Sequence, residues 1–337
     1  MKPTDFAGYL TEFLSVYLPQ QKNASKNTIA SYRDTFKLLL SYCQNHKGIP
    51  VEKLTMDMLS HGLVSDFLNW LETERKCGIS SRNQRLAAIH SFFRYAQYEE
   101  PEGILHFQKV IAVPHKKAPK PSVSHLTPDA MQLLLSQPDK TNAKGRRDLT
   151  LMSVLYDSGC RVQELADLRI RDVILTNLPV LVLTGKGNKV RRVPLMKNTM
   201  ALLERYICEN TLDKPWKSDY PLFVNKQCNK LTKEGVAYII SQYVMTARRN
   251  STIVPEKVTP HMFRHSKAMH LLQAGVSLIY IRDFLGHEDI KTTEIYAKCD
   301  TELKRTAIEN AYPDLVDSSL PDWNKDSALL NWLSKLK

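Results

Sequence analysis

The sequence predicts two domains, an all-α N-terminal domain followed by a mainly α domain with a small β-sheet (α+β). Three observations lead there. At 337 residues the chain exceeds what one small core organises and fits two. Residues 1–110 carry apolar side chains at helical spacing almost throughout. Beyond a proline-rich stretch at 113–122, short β-prone runs interrupt an otherwise helical pattern.

The first helix is expected over 6–18. A second follows Ser25, a capping residue, and places Ile29, Tyr32, Phe36, Leu39 and Leu40 along one face. A third should cover 58–74. A fourth starts near Ser80 and carries Leu86, Ile89, Phe92, Phe93 and Tyr95, with Arg82, Arg85, His90 and Arg94 on its polar side. Basic residues beside aromatics suit a face that tracks a phosphate backbone, and equally a solvated face over a buried stripe. The segment 113–122 holds three prolines with His115, Lys116, Lys117 and Lys120, so it reads as an extended basic linker. Thr127-Pro128 then opens a helix as cap and first-turn proline, and another helix is expected over 147–156. Val180-Leu-Val-Leu183 and Val190-Arg-Arg-Val193 flank Gly185-Lys-Gly-Asn188 and read as a hairpin. From Glu234 onward the pattern is helical again.

Composition narrows the classes. Net charge is +12 and hydrophobic residues make up 43%, which fits a globular protein with a polyanionic partner. Through residue 115 there are 13 Lys+Arg against 11 Asp+Glu, so most of the excess lies beyond that point. Six scattered cysteines form no C-x-x-C pair, which argues against a zinc ribbon or disulfide framework and suits a reducing compartment. The start has no cationic-then-apolar leader pattern, and no apolar run approaches a membrane span. A cytoplasmic protein, or a nuclear one in a host with a nucleus, is expected, with no membrane partner.

The residues that carry chemistry lie between 161 and 296. Thr259-Pro260 looks like a cap and first-turn proline, so His261 and Arg264 share one face at the start of a helix, where free amides already favour an anion. Gly286 reads as a helix stop, with His287 opening the next segment and Tyr296 near the end of a short helix. His287-Glu288 is not a zinc motif, because position 291 is lysine. Arg161 follows a Gly159-Cys160 break, with Glu164 one turn on and able to orient it. Lys186 sits at the hairpin tip. That turn is no P-loop, since Gly187 follows the lysine, and Lys189 competes for any role given to Lys186.

The ordered set Arg161, Lys186, His261, Arg264, His287 and Tyr296 resembles the tyrosine recombinases, or phage-type integrases. It lies in the flanks Ser-Gly-Cys-Arg-Val-Gln-Glu-Leu, Gly-Lys-Gly-Asn-Lys-Val-Arg-Arg-Val-Pro-Leu, His-Met-Phe-Arg-His-Ser and Leu-Gly-His through Ile-Tyr. The resemblance covers residues 125–300 strongly, and the N-terminal part only in its helical pattern. It implies a two-domain DNA clamp with a helical SAM-like core-site-binding domain over 1–112, a basic linker over 113–126, a catalytic domain over 127–312 and a tail over 313–337. It also implies roles. Tyr296 attacks the scissile phosphate and forms a 3′-phosphotyrosyl link. Arg161 and Arg264 grip the non-bridging oxygens, and Lys186 protonates the leaving 5′-oxygen. His261 assists proton loss from the tyrosine, and His287 hydrogen-bonds the phosphate.

Charge compensation by side chains makes a metal unnecessary, and the covalent link conserves bond energy, so no cofactor is expected. The expected partners are double-stranded DNA recombination sites and further copies or relatives of the chain, in a homo- or hetero-tetramer on synapsed DNA. Arg82, Arg85, Arg94, Lys116, Lys117, Lys120 and Lys189 are the candidate DNA contacts. The expected activity is strand cleavage and rejoining for integration, excision or transposition of a mobile element. A type IB-like topoisomerase and a non-catalytic DNA-binding regulator on the same fold are the alternatives. The short stretch ahead of the core-binding pattern leads to the expectation of the two-domain form of the family, without an added arm-type DNA-binding domain. The end of the chain, with Trp323, Leu329, Leu330, Trp332 and Leu333, reads as an amphipathic helix that docks on a neighbouring protomer or packs on its own domain.

Overall fold

The structure is a computed structural model, and it describes residues 3–118, 123–176, 178–299 and 327–336. The chain separates into two compact units, Met1–Pro121 and Ser122–Lys337.

The first unit is all-α. Helix α1 (Asp5–Glu12) is capped by the Thr4 hydroxyl, which accepts from the Ala7 amide. The helix expected over 6–18 does not continue regularly. Residues Phe13–Gln21 form a wider π-helical stretch containing Pro19, whose missing N–H removes a ladder donor. Ser25 caps α2 (Lys26–His46) as expected, accepting from the Thr28 amide at 3.2 Å. Helix α3 (His61–Thr73) starts later than residue 58 because the Ser60 hydroxyl accepts from the Leu63 amide and sets the boundary. Helices α4 (Ile79–Glu99) and α5 (Ile104–Ile111) complete the unit. Phe13, Phe36 and Phe92 meet edge to face at its centre, with ring centroids 5.1–6.3 Å apart.

The polar side expected on α4 is corrected by the structure. Arg82 and His90 are each only 5% exposed. Arg82 donates to the Pro114 carbonyl at 3.0 Å, and Arg85 donates to the Ser31 carbonyl and the Thr35 hydroxyl at 3.1 Å each. The reason is that α1, α2, α3 and α5 all pack on α4, which leaves little of its circumference to water. Arg94 is exposed.

Both ends of the expected linker are built into cores. Val113 is buried in the first unit and Leu126 in the second. Asn83 grips the backbone of Lys116 at two points: its amide donates to the carbonyl at 2.7 Å and its oxygen accepts from the N–H at 3.1 Å. The Lys116 ammonium pairs with Glu72 at 2.7 Å, and Lys117 is exposed. Lys120 lies outside the described residues.

The second unit opens with α6 (Pro128–Leu135), capped by Thr127 as expected. Helix α7 (Ala143–Ser158) begins earlier than residue 147, because Asn142 caps it through the Gly145 amide. Helix α8 (Val162–Asp167) leads to an antiparallel sheet of order β1-β2-β3, formed by Val173–Ile174, Val180–Thr184 and Val190–Pro194. The hairpin pairs Val180 with Pro194 through Thr184 with Val190. Its turn holds Gly187 and Asn188 at positive φ, 73° and 57°. Strand β1, only two residues long, is too short to leave a periodic signal.

Then come α9 (Lys197–Glu209), α10 (Lys233–Arg248), α11 (Pro260–Gln273), α12 (Leu278–Leu285), α13 (Lys291–Cys299) and α14 (Ser327–Leu333). Helix α11 packs against α7, α10, α12 and α13, so side chains on different sides of it reach different neighbours. Among the described residues no helix is long and apolar enough to cross a membrane. Trp323 lies outside the described residues, while Trp332, Leu333 and Leu336 near the end are exposed.

Candidate active site

The site is organised around the C-terminal end of α12. A helix end leaves its last carbonyls without intrahelical donors, and cations are favoured there. Three arginines from three elements take three consecutive carbonyls. Arg191 on β3 donates to Phe284 O at 3.1 Å, Arg264 on α11 donates to Leu285 O at 2.6 Å, and Arg161 ahead of α8 reaches Gly286 O at 3.5 Å. Arg264 also donates to Gly159 O at 2.7 Å, which ties the end of α7 to the same point. Gly159 and Gly286 both sit at positive φ, 55° and 66°, where glycine is favoured.

Glu164 organises the arginines. Its carboxylate accepts from the Arg161 amide at 2.9 Å and guanidinium at 2.8 Å, as the one-turn spacing suggested. It also accepts from Arg191 at 3.1 and 2.7 Å. Burial acts to raise its pKa, but the hydrogen bonds from Arg191 and Arg161 outweigh that and hold it below the usual value. Arg264 is 3% exposed. Burial first, then Arg161 and Arg191, lower its pKa to about 10, so it stays charged at neutral pH.

His287 follows the left-handed Gly286, and its Nδ1 lies 2.9 Å from the Thr293 hydroxyl. Burial, then Arg264, Arg161 and Arg191, lower its pKa to about 4, so the ring is neutral at physiological pH. Tyr296 on α13 is 1% exposed and packs among Ala268, Met269, Ile281 and Leu285. Its ring stacks on His287 with centroids 6.5 Å apart, and burial raises its pKa while Arg264 opposes the shift.

His261 opens α11 behind Thr259 and Pro260, though the Thr259 side chain makes no capping bond. The residue is exposed overall, but partial enclosure of its ring by the neighbouring protein, then Arg264 and Arg161, lower its pKa. The group at the tyrosine hydroxyl is another residue, His265, whose Nδ1 lies 2.9 Å from it. Lys186 occupies the hairpin turn, and its side chain lies outside the described part of the structure. Lys189 is ion-paired to Glu288 at 2.7 Å. Arg161, Gly185, Lys189, Arg191, His287 and Glu288 are among the residues lining a cleft of about 420 Å³.

Sequence reasoning gave no role to His265 or Arg191. The signal for Arg191 was alternation along the strand, which puts it on the same face as the buried Val193. His265 had no such signal, because adjacency to Arg264 says nothing about which side of the helix meets the tyrosine.

A match to the phage integrase family covers residues 124–302, and a match to the phage integrase N-terminal SAM-like domain covers residues 10–100. The chain belongs to the phage integrase family. As a tyrosine recombinase it is a site-specific DNA recombinase, an enzyme that breaks and rejoins DNA strands. The integrase/recombinase y4rC of Sinorhizobium fredii is 36% identical over 337 residues, covering 99% of each chain. The tyrosine recombinase XerC of Bradyrhizobium diazoefficiens is 31% identical over 315 residues, 90% of this chain and 93% of that one. In fold the recombinase resembles the XerH site-specific recombinase bound to palindromic difH substrate in a post-cleavage complex. The TM-score is 0.69 at 22% identity, over 89% of this chain and 84% of that one.

Proposed function

We propose that Tyr296 is the nucleophile of this recombinase and that Arg161 and Arg264 are the clamp on the scissile phosphate. One observation carries the reading. Residues 135 positions apart in sequence, Arg161 and Tyr296, come together at the end of α12, with Arg264 and His287 between them in the chain and beside them in space. Two fixed guanidinium groups neutralise charge as it grows on a pentavalent phosphorus. His287 and the exposed His261 serve as hydrogen-bond donors to phosphate oxygens. Lys186 on the hairpin turn protonates the departing 5′-oxygen, leaving a 3′-phosphotyrosyl link and a free 5′-hydroxyl.

The DNA is a double-stranded recombination site. The likeness to an integrase/recombinase over the whole chain supports a site carried by a mobile element, which is integrated, excised or transposed. The first unit binds the core site, and of the basic residues considered, Arg94, Lys116, Lys117 and Lys189 are exposed for phosphate contact. The enzyme acts in the cytoplasm as a homo- or hetero-tetramer on paired sites. The exposed Trp332, Leu333 and Leu336 support a tail that engages a neighbouring protomer.

Incubation with a nicked suicide duplex carrying the element's end tests the nucleophile. A covalent protein–DNA adduct is expected with the wild type and none with Tyr296→Phe. An adduct that persists in the phenylalanine variant sinks the assignment.

A further inference from the structure

The geometry points to His265 as the catalytic base that takes the proton from Tyr296. The inference rests on Tyr296 being the nucleophile and goes beyond that assignment. A hydroxyl on a tyrosine 1% exposed needs a hydrogen-bond partner, and His265 Nδ1 supplies it at 2.9 Å, inside the range for direct proton transfer. His261 lies one helical turn earlier, with its ring centroid 6.2 Å from that of His265. The two histidines therefore divide the work: His261 stands exposed on the solvent side of α11, and His265 stands against the reacting oxygen.

The step balances. Tyr296 Oη forms its bond to phosphorus as its proton passes to His265 Nδ1. The bond from phosphorus to the 5′-oxygen breaks, and that oxygen takes a proton from Lys186. In rejoining, the 5′-hydroxyl attacks phosphorus and returns its proton to the lysine, while the departing tyrosine oxygen recovers its own from His265.

The surroundings of His265 set when it accepts a proton. His261 and Arg264 face it from its own helix, His125 from the segment ahead of α6, His287 from the turn after α12, and Tyr296 from α13. Burial, then the cationic neighbours, bring its pKa to about 4, so in the free protein the ring is neutral and Nδ1 is available as an acceptor. An arriving phosphodiester brings negative charge beside the same neighbours. That favours the imidazolium and raises basicity when the tyrosine must lose its proton.

The test is single-turnover cleavage of the nicked suicide duplex across pH with His265→Asn and His265→Ala, beside Tyr296→Phe. Asparagine keeps an acceptor near the Nδ1 position but takes no proton. If His265 is the base, both His265 variants slow cleavage about a hundredfold or more, the acidic limb of the wild-type profile is lost, and added imidazole accelerates the alanine variant. Asparagine cleaving at the wild-type rate with the wild-type profile overturns the proposal, because a hydrogen-bond acceptor alone would then suffice. Wild-type cleavage by the alanine variant overturns it equally. Duplex binding and thermal unfolding of each variant confirm that it is folded, and the asparagine variant carries the test if alanine unfolds the site. An adduct in Tyr296→Phe defeats the nucleophile assignment, a result distinct from either outcome for His265.

Discussion

Arg191 lies fork to fork against Glu164, with N–O distances of 3.1 and 2.7 Å, and both side chains are nearly buried at 13% and 4% exposed. Through this pair the β-hairpin is fixed to the same carboxylate that orients Arg161. The third guanidinium nitrogen, on the Phe284 carbonyl, fixes the hairpin to the end of α12 as well.

Removing Arg191 leaves the buried Glu164 carboxylate compensated by Arg161 alone. Arg191→Ala is expected to lower stability by about 3–5 kcal/mol, read from the denaturant midpoint of the second unit's transition. Arg191→Lys keeps the charge but not the two-point fork, and should recover only part of the loss. Cleavage should fall in both, because Glu164 is then held from one side only. Alanine at wild-type stability would show that the pair contributes nothing net.

The left-handed turn at Gly286 gives a second prediction. A β-carbon there would lie 3.0 Å from Arg191 Cδ, and φ of 66° already disfavours an L side chain. Gly286→Ala should cost about 1–2 kcal/mol from the backbone alone and displace Arg191. The informative readout is cleavage, since His287 is the next residue. A variant with unchanged cleavage and unchanged unfolding would mean that the turn tolerates a side chain.

Much of this arrangement was legible locally. Ser25, Thr127 and Gly286 act at helix ends within a few residues of their own position, and the hairpin turn announces itself through Gly185-Lys-Gly-Asn188. The residues that sequence reasoning missed have distant partners. His265 meets Tyr296 across 31 positions, and Arg191 meets Glu164 across 27. Arg82 misled for another reason. Periodicity shows which face of a helix is apolar, but not that α4 is enclosed by neighbours, so an arginine bonded to the Pro114 carbonyl looks like a solvated one.

Acid should destabilise the protein well before its carboxylates titrate. His90, His265 and His287 each have a pKa lowered to about 4, with burial as the first cause. In the unfolded chain these rings bind protons near 6.5, the ordinary histidine value. Between pH 6.5 and 4 the unfolded state therefore binds more protons than the folded state. Stability must fall as pH drops through that window and level off from this source near 4. Denaturant midpoints measured from pH 7 to 4 should decline, and His90→Gln should flatten part of the decline if it folds. A midpoint constant down to pH 4 would mean that these histidines titrate normally.

The grip of Asn83 on Lys116 bears on protease sensitivity. Its side chain satisfies both the N–H and the carbonyl of a residue whose backbone lies outside any helix or strand, and Glu72 holds the same residue by its ammonium. Asn83→Ala removes two hydrogen bonds at once, with a net loss of about 1–3 kcal/mol of local order. A protease must draw its substrate out as an extended strand, so local opening at Lys116 and Lys117 sets the cleavage rate. Limited trypsin digestion of the alanine variant should cut there several-fold faster than the wild type, with the unfolding midpoint of the first unit little changed. Equal cutting rates would show that the Glu72 ion pair and the flanking Val113 packing hold the segment without Asn83.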